Sequence, residues 1–448
     1  MIGPFVANLR AVAVRSTSGF ARKVAVLSSG TVIAQAINFL LFPLITRLYM
    51  PASVGQFALF TSFLSMAAVA VSLRYELGIV SAQDERESSQ LLFLAVLFTV
   101  PLSLAVSVAL LLLIRFHWLG FGTLPVYAAL LMAPVLLCTG IFGALRYWEI
   151  REERYAVVSR STVWQHGTRS VVQVVLGFLQ PGAGGLLCGE LLGRCMGMGT
   201  MFRDALPVVR PHLVRSERSA FRETLRRNRK FPLYSLPSSF IDTLSINIAV
   251  PLLVILYGAG VAGQFAVVQR VTAVPLFLLT VGVADVFHSS LAQHARTNPQ
   301  QCKALFRRTA FGLLIMGLVP ASILFIGGEP LFAFVFGSRW ALAGIFASAV
   351  APWFLMQFVV SPLSRVVLVF HGQEFKLIYD LLTVASIAVV FGVAKSHSLG
   401  VVQTVRWLSA VNTIAYGAYF LVLLYVLSRS CRTTPANHPI EEESALSA

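Results

Sequence analysis

Seven arginines stand inside long apolar stretches of this 448-residue chain: Arg74, Arg160, Arg169, Arg194, Arg270, Arg365 and Arg406. A guanidinium stays charged when buried, and its planar fork binds phosphate or carboxylate oxygens in pairs. Placing one at the centre of a bilayer costs about 2.5–3.5 kcal/mol on the insertion scale, so each marks a site or an ion pair. Arg160, Arg365 and Arg406 lie near the ends of their stretches and can reach water along their own stems. Arg194 follows Glu190 by four residues, the favourable order for a pair on one helix face. Arg74 and Arg270 remain as the main candidates for holding an anion, with Arg169 as a third. Counted along straight helices, Arg270 falls roughly 13 Å and Arg74 roughly 8 Å from opposite ends of their spans. Glu76 and Asp242 offer each main candidate a charge partner, and either carboxylate could instead take a proton or Na⁺. On sequence alone the anion-ligand and ion-pair readings both stand.

The elements that must position these residues are helices in a bilayer. The chain is 57% hydrophobic and 12% charged, against about 25% charged residues in a soluble domain. A spanning helix needs about 20 largely apolar residues. Twelve stretches qualify: 24–46, 55–79, 91–114, 124–146, 156–179, 183–202, 236–257, 261–285, 309–327, 342–370, 377–394 and 402–427. Pro352 and Pro362 are expected to bend the tenth. The stretches fall into lobes at 24–202 and 236–428. A basic segment 1–23 precedes them, a basic linker 203–235 joins them, and a polar tail 429–448, expected to be disordered, follows. The linker sequence RSERSAFRETLRRNRKFPLY predicts an amphipathic basic helix ending at Pro232, suited to joining the lobes and touching anionic lipid headgroups.

An internal repeat orders the stretches. Residues 42–58, FPLITRLYMPASVGQFA, align without a gap on 250–266, VPLLVILYGAGVAGQFA, with eight of seventeen positions identical. Each copy runs from one apolar stretch through a short loop into the next. Arg74 and Arg270 both follow it, on the second helix of each half. Six helices per half return the chain to its starting side, so the repeats are parallel, the arrangement of a transporter with its site between similar halves.

Net charge +16 does not signal nucleic acid. With the N-terminus in the cytoplasm, inner loops and tails hold twenty-four of the thirty-five Lys and Arg, and outer loops hold four. That asymmetry places both termini in the cytoplasm. The five cysteines form no CxxC pair and the eight histidines no metal spacing, so no metal or cofactor is expected. No short apolar core with a cleavage site follows Lys23, so the first stretch reads as a retained span. There is no GxxxxGK[ST] phosphate loop and no polar outer loop bearing a hydrolase motif, which argues against an enzyme.

LITRLYMPASVGQFALFTSFLSMAAVAVSLRYELGIV (44–80), RKFPLYSLPSSFIDTLS (229–245) and GQFAVVQRVTAVPLFLL (263–279) resemble bacterial polysaccharide flippases of the Wzx type. These belong to the multidrug/oligosaccharidyl-lipid/polysaccharide (MOP) exporter superfamily. The resemblance implies an all-α integral membrane protein of about twelve helices, in two six-helix lobes around a central cavity that opens alternately to each face. It implies a cargo of undecaprenyl-pyrophosphate-linked oligosaccharide, carried to the outer leaflet of the bacterial inner membrane for O-antigen, capsule or exopolysaccharide assembly. Its other partners would be membrane proteins of glycan assembly. Basic cavity residues would hold the pyrophosphate, a role that falls on Arg74, Arg270 and Arg169. Drug-exporting members use an acidic residue in the first helix; 24–46 contains none. The alternatives are an ion-coupled drug antiporter, a membrane glycan polymerase or ligase, and a structural scaffold.

Overall fold

The computed structural model describes residues 19–214, 218–297, 299–370 and 372–433. Most of the basic segment 1–23 and of the tail 429–448 lies outside them. All twelve apolar stretches are helical. In order, the helices are α1 (Gly19–Leu48), α2 (Pro51–Ala70), α3 (Glu76–Ser81), α4 (Glu85–Arg115), α5 (Val126–Arg151), α6 (Tyr155–Leu179), α7 (Ala183–Cys195), α8 (Met198–Val214), α9 (Arg218–Arg227), α10 (Leu236–Asn247), α11 (Ala249–Leu279), α12 (Asp285–Thr297), α13 (Pro299–Phe336), α14 (Ala341–Leu363), α15 (Val366–Val369), α16 (Gln373–Ser396) and α17 (Val401–Thr433). Short 3₁₀ turns at Trp118–Thr123 and Ser338–Trp340 join α4 to α5 and α13 to α14. Among the described residues, nine continuous helical stretches are long and apolar enough to cross a membrane. One of them, Ala220–Ala295, runs for 76 residues.

Local chemistry sets the helix ends. Asp84 caps α4 by accepting from the Glu87 backbone N–H at 2.6 Å, while the Glu87 carboxylate accepts from the Gln83 N–H at 2.9 Å. This reciprocal pair satisfies two backbone donors at once. The tenth stretch ends its long helix at Leu363, one residue past Pro362, and resumes as α15. Two stretches predicted to be single spans are broken. The second, 55–79, stops at Ala70 and restarts at Glu76. The sixth, 183–202, breaks after Cys195 at Gly197, whose φ of 86° suits glycine alone.

The chain packs into two units. The first holds Met1–Gln269 with Phe332–Leu342, and the second holds Arg270–Leu331 with Ala343–Ala448. In the first, α1 lies along α6, α6 along α7, and α4 along α5. Small residues permit the close approach that drives helix association in lipid. Gly30 of α1 faces Ser159, and Gly189 and Gly193 of α7 face Gln173 and Arg169. A core around Trp148, Tyr75, Ile79, Leu91 and Met201 ties α3, α4, α5 and α8 together. In the second unit, Gly328 of α13 meets Gly344 of α14, and Tyr379 of α16 stacks on Tyr419 of α17 at 4.4 Å.

The sequence repeat is a structural one. Helix continuity is lost at Met50 in an extended conformation (ψ 151°) and at Gly258 (φ 83°), which are equivalent positions of the repeat. Just beyond, α2 and α11 cross. A Cβ on Gly55 would land on the Ala259 carbonyl oxygen, and one on Gly263 would land on the Pro51 carbonyl oxygen. Pro51 and Ala259 are themselves repeat partners, so each copy touches the other through the same atoms, the self-complementary signature of a two-fold axis. The following glutamines repeat the pattern: Gln56 Nε2 donates to the Thr123 carbonyl at 2.5 Å and Gln264 Nε2 to the Arg339 carbonyl at 2.8 Å. Each thereby fixes the 3₁₀ turn of its own half.

Those turns dock on the opposite copy. Trp340 Nε1 donates to the Thr46 carbonyl at 2.8 Å, and the Arg47 guanidinium caps α13 at the Phe334 and Val335 carbonyls, 2.9 and 3.3 Å away. Gly120, at φ 75°, packs closely on Val254 and Ile255, where an added Cβ would lie 3.0–3.3 Å from their atoms. Thr46 and Arg47 are the repeat equivalents of Val254 and Ile255.

Candidate functional site

Arg74 sits in the break of the second span. The backbone turns through Leu73 (φ 50°) and Arg74 (φ 64°), two successive left-handed residues without a glycine. Such residues cost of order 1–3 kcal/mol each and persist only where the surroundings enforce them. Here Val71 and Ile79 are fully buried on either side, and Tyr75 is buried and stacked on Phe98 at 5.8 Å. The straight-helix depth count for Arg74 therefore ends at Ala70. The turn aims the guanidinium at Glu76, with Nη1 to Oε1 at 3.5 Å. Neither charge is fully used: Arg74 Nε and Glu76 Oε2 are buried and have no hydrogen-bond partner.

Arg169, on α6, is the centre of a polar network inside the first unit. Its Nη2 donates to Asn38 Oδ1 of α1 at 2.9 Å and lies 3.2 Å from His166 Nδ1. Its Nη1 reaches Glu190 Oε2 of α7 at 3.4 Å, and its Nε is buried without an acceptor. Glu190 is 1% exposed and also takes a 2.8 Å bond from Arg194 Nε, so the pair expected on one face of α7 is present and shared. Asn38 Nδ2 lies 2.8 Å from His166 Nδ1, and Ser170 Oγ donates to Asn38 Oδ1 at 2.8 Å. Asn38 Nδ2 and Arg169 Nη2 are both donors, and an unprotonated His166 Nδ1 offers one lone pair to them. One step along α6, Gln173 ties its carbonyl to the Tyr49 hydroxyl at 2.7 Å and its amide to the Leu186 carbonyl at 3.0 Å.

Arg270 opens the second unit and is half-buried. Asp242 is half-buried on α10, where its backbone carbonyl accepts from Ser245 Oγ at 2.7 Å. Arg365 Nη2 lies 3.9 Å from Asp285, a partly exposed pair. The structure therefore joins Arg74 to Glu76 and Arg169 to Glu190. Sequence reasoning missed Asn38, His166, Ser170 and Gln173. A signal existed, because His166, Arg169, Ser170 and Gln173 recur at i, i+3, i+4 and i+7 and so form one polar face of a helix. Asn38 carried no such spacing.

Among the described residues, no group of three His, Cys, Asp or Glu side chains is placed to hold a metal. Cys138 and Cys195 are free thiols with sulfurs 3.4 Å apart. The chemistry on offer is electrostatic, with cationic donors buried in a helical bundle and several N–H groups unspent.

The model of a family described as polysaccharide biosynthesis protein matches residues 44–344. No curated protein matches the chain. Among solved structures, it is similar to a MOP superfamily transporter from Pyrococcus furiosus, at 17% identity and TM-score 0.62, over 92% of this chain and 96% of that one. It is also similar to the lipid II flippase MurJ in an inward closed conformation, at 16% identity and TM-score 0.63, over 90% of each chain. A multidrug resistance MATE family transporter in an outward-facing conformation gives 15% identity and TM-score 0.53, over 92% and 97%. At these identities the likeness is one of fold. With two thirds of its length matched by one family model, this chain belongs to the polysaccharide biosynthesis protein family and is an integral membrane protein with the MOP transporter fold.

Proposed function

We propose that this protein is a flippase. It carries an undecaprenyl-pyrophosphate-linked oligosaccharide from the cytoplasmic to the outer leaflet of the bacterial inner membrane, by alternating access between two parallel six-helix lobes. Arg74, Arg270 and Arg169 take the diphosphate, and Glu76 and Asp242 act as charge partners or take up a coupling ion. The observation that carries the reading is the pair of buried guanidinium Nε donors, on Arg74 and Arg169, left without acceptors inside a membrane bundle of a polysaccharide family. A buried donor without a partner costs about 1–3 kcal/mol, which a phosphate oxygen would recover. The similarity in fold to a lipid II flippase supports a lipid-linked cargo. The first span holds no carboxylate, which disfavours the drug-antiporter alternative.

The driving force needs no nucleotide. A cytoplasm-negative potential favours outward movement of an anion by about 2.3 kcal/mol per charge per 100 mV. A doubly charged headgroup gains roughly twice that, less whatever positive charge moves with it.

The test is glycan display in a strain lacking the chromosomal copy. Arg74→Ala and Arg270→Ala should abolish display while the protein still inserts at wild-type levels. Lysine at either position should restore part of it, because charge is kept and the two-pronged geometry lost. Wild-type display from both alanine variants would refute the assignment.

A further inference from the structure

The geometry points to an anionic-phospholipid docking surface on the helices that connect the two apolar blocks. This surface is separate from the arginines assigned above. Helix α9 and the turn Asn228–Arg229 with Lys230 that follow it have two opposite faces. One is fastened to the start of α4: Thr224 Oγ1 donates to Gln90 Oε1 at 2.6 Å, Asn228 Nδ2 to Glu87 Oε1 at 3.1 Å, and the Phe221 ring meets Phe93 at 5.6 Å. The other carries Arg222, Arg226, Arg229 and Lys230, all exposed, with one exposed carboxylate, Glu223, among the four cations. Positions 221, 224 and 228 and positions 222, 226, 229 and 230 lie on opposite sides of a helix of 3.6 residues per turn. The cations therefore cannot turn inward while the fastening holds. Glu87 is shared by Asn228, the Gln83 N–H and Arg227, whose Nε lies 3.8 Å away, and Arg227 is not one of the four cations of this row.

Two further features select a lipid over water or a free anion. Helical structure is nearly continuous from Lys230 into the apolar stretch that begins at 236, so Lys230 stands roughly 9 Å beyond that stretch, with Arg226 further out across the turn at Asn228–Arg229. That puts Lys230 at the outer edge of a headgroup layer of about 5–8 Å, within about one Debye length of the lipid phosphates. On the preceding helix α8, Met201, Ala205 and Val209 face the protein core, but Phe202 and Leu206 are exposed beside the exposed Arg203 and Arg210. Exposed aromatic and aliphatic side chains alternating with arginines form the face of a helix lying at a membrane surface. Charge complementarity then fixes the occupant as the phosphate of an anionic glycerophospholipid in the same leaflet. Basic residues so placed add affinity for anionic lipid one by one and lose it with salt.

Native mass spectrometry of the full-length protein in neutral detergent, with phosphatidylglycerol and phosphatidylcholine added at equal concentration, tests this. Wild type should retain phosphatidylglycerol in preference, and R222Q/R226Q/R229Q/K230Q should lower that preference at least roughly tenfold. R222K/R226K/R229K should keep it, since a lipid surface reads charge rather than fork geometry. Retention of the preference by the glutamine variant, or its absence in wild type, overturns the inference. So does its loss on adding inorganic phosphate at constant ionic strength, which would mark a free-anion site. If the glutamine variant unfolds, loss of the preference in wild type at high salt, with the elution profile unchanged, supplies the same decision. An R74A protein should keep the lipid preference whatever happens to transport, which separates this surface from the cargo site.

Discussion

The crossing of α2 and α11 makes a prediction that rests on backbone atoms alone. Alanine at Gly55 would place its Cβ on the Ala259 carbonyl oxygen, and at Gly263 on the Pro51 carbonyl oxygen. Neither obstacle is a side chain that can swing away, so the two helices must separate. Overpacking of this kind costs about 1–3 kcal/mol, and the rigid contact puts it at the upper end. Alanine also gains about 1 kcal/mol over glycine in a helix, leaving a net loss of about 2 kcal/mol. This corresponds to roughly a thirtyfold shift in the folded-to-unfolded ratio. The two substitutions should cost the same within about 0.5 kcal/mol. The double variant should lose less than their sum, since the first already opens the crossing that the second needs. The assay is unfolding in mixed micelles of increasing denaturing detergent, followed by the shift in tryptophan emission. Gly167→Ala on α6, with open space around it, is the control and should be neutral or stabilising. Wild-type unfolding of Gly263→Ala, or full additivity in the double variant, would refute the mutual crossing.

Two other outcomes follow from the buried polar groups of the first unit. Glu190→Gln leaves Arg169 and Arg194 facing one another without their shared counter-charge, a loss of about 3 kcal/mol; a drop in inserted, detergent-stable protein measures it, and unchanged yield would contradict the shared pair. Trp340→Phe keeps an aromatic ring but removes the pyrrole half of the indole, which strips the Thr46 carbonyl of its donor, a cost of about 1–2 kcal/mol, and leaves a cavity at a fully buried site that adds to it. The same unfolding assay reads this, and no shift would mean that water replaces the bond.

How far the sequence reached depended on whether the information was local. Apolar length located the helices that carry the apolar stretches, though not α9 or most of α12, and the four-residue spacing of Glu190 and Arg194 gave their pair. The repeat placed Met50 and Gly258 in equivalent loops because proline and glycine punctuate the chain there. Gly197 also stood in plain view, and the break at the end of α7 could have been read from it. The turn at Leu73 and Arg74 could not, because neither residue favours a left-handed backbone and the packing of Tyr75 and Val71 imposes it. The Asn38–His166 contact spans 128 residues, and its only trace was the polar spacing on α6.

The reciprocal docking of the two 3₁₀ turns has a consequence for how such a chain can be built. Each copy supplies the key and its counterpart the keyhole: Trp340 seats at Thr46, and the Gly120 turn seats at Val254. A fragment ending before the second copy would synthesise an orphaned latch, with a bare carbonyl at Thr46 and an uncovered ledge at its own tip. Fragments made as separate polypeptides should therefore mature only when produced together, each acting as the other's assembly factor.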